Sequence, residues 1–459
     1  MGATFAKNRI FAPSGRYAGT RPIQNDPPLN TLRLLPPITA PNRAVRDHPV
    51  RATIPLASSK SESNRALIID ALTSFACDLH NLSTARDTQT MIRLLRSGDE
   101  TADVLDAGTT MRFLTAYFAF RGEPKIMTGT PRMCERPIAI LVDALRQLGA
   151  DITYLNRDGY PPLRIGRPGP AATNSVPMRG DVSSQYVSAL LLIAPTLPNG
   201  LRLELTGAVG SRPYIEMTIA LIQHFGARVQ TDWEAGVLTV EPRAYVPASF
   251  RIESDWSGAS YWYSVVALSP DEETEIELLG LKEQSLQGDS AIVDIMRPMG
   301  VETQFTETGV RLTKRPAEAA LAWDFTPCPD LAQTVAVCAA VKGVALTLTG
   351  IESLKIKETD RVLALQTELQ AIGAELIEVE ANHRYVVQST TASNTEQTVP
   401  VIATYDDHRM AMAFAPVAMQ REIIIENPGV VAKSYPSFWD DLAQVIRVEP
   451  VTDGTNAGH

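Results

Sequence analysis

Apolar and polar positions along the chain fall into two interleaved series. In the first, an amphipathic helix ends in glycine plus a small apolar residue, and an alternating strand, a polar turn and a second strand follow. Four segments share this pattern: LVDALRQLGADITYL with its hinge at Gly149-Ala150, LIQHFGARVQ at Gly226-Ala227, IVDIMRPMGVETQF at Gly300-Val301, and LQTELQAIGAELIEV at Gly373-Ala374. The intervals between hinges are 77, 74 and 73 residues, so regular a period that it marks a repeat. Glycine suits the left-handed position just past a helix end. In the second series a polar, turn-like opening leads into a helix of small and apolar residues. Its members begin at Ser58, Asp106, Asp181, Asp255, Pro329 and Asp406. Six openings predict six units, each a strand, a buried helix, a strand, an amphipathic helix and a hairpin, with the first unit shortened. Three units fit residues 58–253 and three fit residues from 255 to about 445, two halves of domain size.

Composition agrees with two sizeable domains: 459 residues, 44% of them hydrophobic and 20% charged. The net charge of −10 argues against a protein that coats nucleic acid or anionic membrane, so any anionic partner must be held by local cations. No apolar run approaches the roughly 18 residues of a transmembrane helix. Cys77, Cys134, Cys328 and Cys338 have no CxxC spacing and are too sparse for a disulfide framework, which points to a reducing, cytoplasmic setting. The six histidines form no HxH or HExxH pair, so no metal site is expected. The first 55 residues hold 9 of the 32 prolines, and residues 1–46 carry seven Lys or Arg against the single acid Asp26. Residues 1–30 therefore read as an extended tail, with a targeting peptide as the second reading.

The six openings carry the candidate chemistry. A helix N-terminus offers free N–H groups and a partial positive charge, a ready anion site. Lys60, Ser61 and Arg65 lie in the first opening, Gly108, Thr109 and Arg112 in the second, and Ser183, Ser184 and Gln185 in the third. Asp330 lies in the fifth, and Asp407, His408 and Arg409 in the sixth. Between the openings lie Arg132 to Arg136, Ser211 to Tyr214, Lys355 to Arg361, and Lys433. Each cluster taken alone also reads as a solvated helix start or a cap. Equivalence of the six units favours function, because it sets all of these clusters at one surface. A nucleotide phosphate loop is not indicated, since GxxxxGK[ST] is absent.

Together these motifs resemble the 5-enolpyruvylshikimate-3-phosphate synthase family. SKSESNRAL is similar to that family's SKSxSNRAL opening, DAGTTMR to NAGTxxR, and GTPRMCERP to GxPRMxxRP; SSQY, SRPYI, KETDR, DHRMAM and AKSYP follow in the family's order. The resemblance spans about Leu32 to Val448. It implies an α/β (α+β) fold, a two-domain inside-out barrel in which each domain has three βαβαββ units with buried parallel helices. The domains would be 58–253 and 31–57 plus 254–459, joined by crossings near 56–58 and 253–255. The implied reaction moves the enolpyruvyl group of phosphoenolpyruvate onto the 5-hydroxyl of shikimate 3-phosphate, with no metal or organic cofactor, in a monomer with no nucleic-acid or membrane partner. By the resemblance, Lys60, Ser61, Arg65, Ser183, Ser184, Gln185, Ser211, Tyr214, Asp330, Ser353 and Lys357 contact shikimate 3-phosphate. Lys60, Gly108, Arg132, Gln185, Arg361, Arg409 and Lys433 contact phosphoenolpyruvate, with Arg112 supporting the loop. Asp330 would be the base and Glu358 the acid, with Lys433, Lys357 and His408 as charge stabilisers or proton partners beside Lys60. Glu358 sits among cations, so its donor role requires substrate anions to raise its pKa.

Three positions depart from the family's pattern. Asp106 replaces Asn beside the phosphoenolpyruvate loop and is expected to turn outward to cap its own helix. Ser353 replaces an Asn that touches the shikimate ring, and Phe113 replaces Pro. Gly108 is the form the family associates with room for the inhibitor glyphosate. Rival functions are the related transferase acting on UDP-N-acetylglucosamine, which should carry a reactive cysteine in a mobile loop, whereas Cys134 here sits within PRMCERP at a position filled variably in the shikimate enzymes, and a silent homologue that only binds phosphorylated ligands. The second has no use for Asp330 and Glu358 together.

Overall fold

The structure is a computed structural model and describes residues 31–37, 49–181, 183–389 and 399–451. The expected tail, residues 1–30, lies outside them. All six openings lead into helices: Lys60–Leu72, Gly108–Ala119, Ser184–Ile193, Trp256–Leu268, Ala332–Lys342 and His408–Phe414. Beyond their polar openings these segments are mostly small and apolar, and the hydrophobic effect drives whole helices inward. Every residue of Trp256–Leu268 except Ser257 is buried. Capping fixes where most of them begin, with side chains of Ser59, Ser183, Asp255 and Asp407 accepting from free backbone N–H groups of the first turn.

The four glycine hinges all take positive φ, +98° at Gly149, +88° at Gly226, +98° at Gly300 and +78° at Gly373. Gly149 also needs its lack of a side chain, since a Cβ there would lie 2.6 Å from the Gly169 carbonyl. Three of the amphipathic helices are well formed, Ala139–Gln147, Arg212–His224 and Arg361–Ala371. The fourth, Ile292–Met296, is a single turn. Pro298 lies two residues beyond it and cannot donate to the ladder, which keeps the helix short.

Among the described residues the units build six sheets. In the second unit Thr101–Asp103 runs parallel to Lys125–Thr128, which pairs antiparallel with Leu163–Ile165 and through it with Ile152–Tyr154. Four other sheets repeat this order. The first unit, shortened as expected, keeps only the parallel pair Asp78–His80 and Ser249–Arg251. Two leading strands are therefore exchanged, because Ser249–Arg251 leads the first unit while Arg51–Pro55 runs parallel to Glu275–Leu279 in the fourth. The sixth sheet is completed by Thr31–Leu35, inserted antiparallel between Ile423–Glu426 and Arg447–Pro450.

Two hydrophobic cores result. One draws on residues from Ala66 to Ile252, the other on Leu32 to Leu56 together with Trp256 to Ile446. The chain passes between them twice, side by side. Ser58 and Ser254 form an antiparallel bridge, the Ser59 N–H donates to the Glu253 carbonyl at 2.8 Å, and the Asp255 N–H donates to the Ala57 carbonyl at 2.8 Å. Beneath this crossing the Glu62 carboxylate accepts from the Glu253 N–H at 2.8 Å. Burial, together with the nearby Glu253 charge, pushes the Glu62 carboxyl up to about 7.

Candidate active site

The openings and the clusters between them meet where the two cores face each other. On one side stands a network of arginines and carboxylates. Arg361, the first residue of its helix, donates to Asp407 at 2.6 Å, Asp330 at 3.0 Å and Glu358 at 2.9 Å. Arg409 donates to the second Asp330 oxygen at 2.8 Å and lies near Tyr261 and Ser257. Lys357 is 3.9 Å from Asp330, and Lys433 is 3.3 Å from Glu358. Asp330 is held in place by a short 3-10 turn, Pro329–Leu331, leading into a buried helix.

The electrostatics of the two carboxylates follow from this packing. Burial alone would raise Asp330, but Arg409, Lys357 and Arg361 outweigh it and hold the carboxyl well below its ordinary range. Burial likewise opposes ionisation of Glu358, yet Lys433, Arg361 and Arg136 keep it well below the usual carboxylate value. Both are ionised in the substrate-free chain. His408 is different. Burial first, then the Lys60, Arg409 and Lys433 charges, holds its imidazole well below its ordinary value, so it is neutral. Its Nδ1 lies 3.5 Å from Asp407, but neither ring nitrogen has a hydrogen-bond partner. Buried nitrogens in that state are available to a ligand or water.

The residues of the other half close over this network. Lys433 donates to the Asp106 carbonyl at 2.8 Å and to its carboxylate at 2.9 Å. Arg132 donates to the carbonyls of Glu358 at 3.2 Å and Lys357 at 3.4 Å, and Arg136 lies 3.8 Å from the Glu358 carboxylate. The Ser211 N–H donates to the Thr326 carbonyl at 3.1 Å, and the Tyr214 hydroxyl donates to Asp289 at 2.9 Å. Gln185 reaches Thr109 at 3.1 Å, joining the second and third openings, and Lys60 pairs with Asp87 at 3.0 Å. Ser211 takes φ +52°, a strained value for serine that fixes the turn into its helix. Ser61 and Ser184 flank these groups on their helix starts.

Other positions are placed less simply. Arg65 is fully enclosed, donating to Ser61, Ser188, Thr218 and the Tyr214 carbonyl, with its guanidinium 5.4 Å from the Phe113 ring. Phe113 thus forms the wall beneath Arg65. A Cβ at Gly108 would lie 2.8 Å from the Arg136 guanidinium, so Arg136 fills that space here. Ser353 is exposed on the 3-10 turn Glu352–Ile356. Asp106 does not cap its helix, whose N-cap is Ala107 without a side-chain bond; it turns inward to Lys433 and to Arg86. That overturns its expected outward orientation.

Sequence reasoning missed Arg86, Asp87 and Asp289. Arg86 and Asp87 start the helix Arg86–Arg96, which lacks a glycine hinge and so fell outside the repeat. Asp289 sits in a 3-10 turn, Gly288–Ala291, too short to show a period. A helix start beginning with paired charges was the one available signal, and RDTQT carries it.

The chain is similar to known proteins over most of its length. The model of the family "EPSP synthase (3-phosphoshikimate 1-carboxyvinyltransferase)" matches residues 45–101 and 97–442. A 3-phosphoshikimate 1-carboxyvinyltransferase of Bacteroides fragilis is 50% identical over 396 residues, covering 86% of this chain and 95% of the relative. One from Cellvibrio japonicus is 37% identical over 424 residues, covering 86% and 97%. The solved EPSP synthase of Acinetobacter baumannii superposes with a TM-score of 0.70 at 17% identity, covering 91% of this chain and 99% of that one, a likeness of fold. With ordered motifs, a six-unit fold and a family match over most of its length, the chain belongs to the EPSP synthase (3-phosphoshikimate 1-carboxyvinyltransferase) family.

Proposed function

We propose that the chain transfers the enolpyruvyl group of phosphoenolpyruvate to the 5-hydroxyl of shikimate 3-phosphate and releases inorganic phosphate. The observation that carries this reading is the joint placement of Asp330 and Glu358 among Arg361, Arg409, Lys357 and Lys433, within family membership. Both substrates are trianions. Bringing two such molecules into contact demands concentrated positive charge, and forked arginines supply it with directional hydrogen bonds.

In the addition step the hydroxyl oxygen bonds to C2 of phosphoenolpyruvate while a proton goes to C3, giving a tetrahedral intermediate. Loss of that C3 proton with departure of phosphate restores the double bond. Asp330, ionised, takes the hydroxyl proton. Glu358 supplies the proton for C3, and because Arg361, Arg136 and Lys433 hold it ionised in the free chain, it acquires that proton as substrate anions engage those cations. The neutral His408 contributes as a hydrogen-bonding partner. We assign Lys60, Ser61, Arg65, Ser183, Ser184, Gln185, Ser211, Tyr214, Ser353 and Lys357 to shikimate 3-phosphate, and Lys60, Gly108, Arg132, Gln185, Arg361, Arg409 and Lys433 to phosphoenolpyruvate. A monomer is part of the same reading, supported by a site assembled wholly from one chain.

The test is phosphate release. It should require phosphoenolpyruvate and shikimate 3-phosphate together, and UDP-N-acetylglucosamine should not replace the second. Release with either substrate alone, or with the nucleotide sugar, would refute the assignment.

A further inference from the structure

Lys433 is almost completely enclosed, with a side chain 1% exposed at the end of the 3-10 helix Pro428–Lys433. An ammonium has three protons to donate. Three acceptors surround this one: the Asp106 carbonyl at 2.8 Å, the Asp106 carboxylate at 2.9 Å and the Glu358 carboxylate at 3.3 Å. Lys433 donates hydrogen bonds to the two Asp106 oxygens and is ion-paired with Glu358, so the enclosed ammonium is already neutralised by the protein's own carboxylates and an incoming anion must compete with them.

The three differ in how readily they leave. The carbonyl belongs to a loop pinned on both sides, by the Thr130 N–H on the Leu105 carbonyl at 2.9 Å and the Ala107 N–H on the Val104 carbonyl at 3.1 Å. Glu358 is tied to Arg361 at 2.9 Å within the buried network. The Asp106 carboxylate has a second cation waiting outside. Arg86, with a side chain 43% exposed, holds both its oxygens, at 3.1 and 3.0 Å. If Asp106 releases Lys433, its charge stays paired with a cation exposed enough to follow it, whereas Glu358 is held inside the buried network.

We propose that Asp106 is a placeholder anion: it bridges the two halves by holding Lys433 in the substrate-free chain, and yields Lys433 to phosphoenolpyruvate by retreating onto Arg86. Asp106 is on this account a positioning residue that sets affinity for phosphoenolpyruvate by competing with it. The inference rests on the assignment of phosphoenolpyruvate to Lys433 above.

Two substitutions should act in opposite directions. Asp106→Asn removes the competing charge while keeping the backbone carbonyl, and should lower the KM for phosphoenolpyruvate about threefold to tenfold, the range of a partly screened ion pair. Arg86→Gln removes the alternative partner, leaves Asp106 to Lys433 alone, and should raise that KM by a similar factor. The KM for shikimate 3-phosphate is the internal control, because a general loosening of the fold would move both constants together. Opposite shifts confined to phosphoenolpyruvate support the proposal, and any other combination overturns it. If Asp106→Asn fails to fold, Arg86→Gln alone decides, a KM that is unchanged or lowered refuting it. Calorimetric titration with inorganic phosphate gives the same comparison without turnover. If the unsubstituted chain shows no phosphate release, the proposed function fails, while tighter phosphate binding by Asp106→Asn and weaker binding by Arg86→Gln still test the placeholder.

Discussion

Arg361 shows how a charge becomes a buried structural member. It stands at the first position of its helix, where the partial positive charge of the helix end disfavours a cation. Asp407, Asp330 and Glu358 more than offset that cost, and Asp360 caps the same turn. One consequence concerns Glu358. Replacing it with Gln leaves Arg361 with two carboxylates and Lys433 with Asp106, so the fold should persist while the proton donor is lost. Glu358→Gln should lower turnover by about 100-fold or more with shikimate 3-phosphate affinity nearly intact, measured by phosphate release and by titration; near-normal turnover would sink the assignment. Such residues were legible because charged clusters abutting apolar helices stand out in the sequence. Asp87, which pairs with Lys60, and Asp289, which accepts from Tyr214, were not, since a carboxylate's partner depends on contacts far apart in the chain.

At the scale of elements, the repeat was readable because helix ends and hinges are local. Glycines at Gly149, Gly226, Gly300 and Gly373 mark backbone conformations that other residues adopt at a strain. The exchange of leading strands was not readable. Nothing in RATIP states that its parallel partner lies at Glu275–Leu279 rather than in the unit that follows it directly. The crossing this exchange creates is where Glu62 is buried. Its carboxyl titrates near 7 in the folded chain against about 4.5 when unfolded, so between those values the folded form holds more protons and stability falls as pH rises. Glu62→Gln removes that penalty. The variant should exceed the parent in stability at pH 8 by up to about 3 kcal/mol, and the gap should close toward pH 4.5. Urea unfolding at both pH values measures it, and a gap independent of pH would contradict the assignment.

The whole molecule divides unevenly. We read the two cores as two domains meeting at 57/58 and 253/254. All the strands of the three sheets in the inner half lie between Asp78 and Arg251, so that half borrows none from outside. The segment 56–254 expressed alone should therefore fold, with cooperative thermal unfolding followed by circular dichroism; a gradual, featureless melt would refute the division. The outer half is built differently. Thr31–Leu35 lies between strands at Ile423–Glu426 and Arg447–Pro450. During synthesis at about 5–20 residues per second, that first strand waits roughly 20–80 s for its last neighbour to emerge. The inner half can be finished in the meantime, so the order of translation makes the later-closing half the vulnerable one. In that interval an unpaired strand edge is open to other chains, and a chaperone that shields it would act on a segment made early in synthesis rather than late.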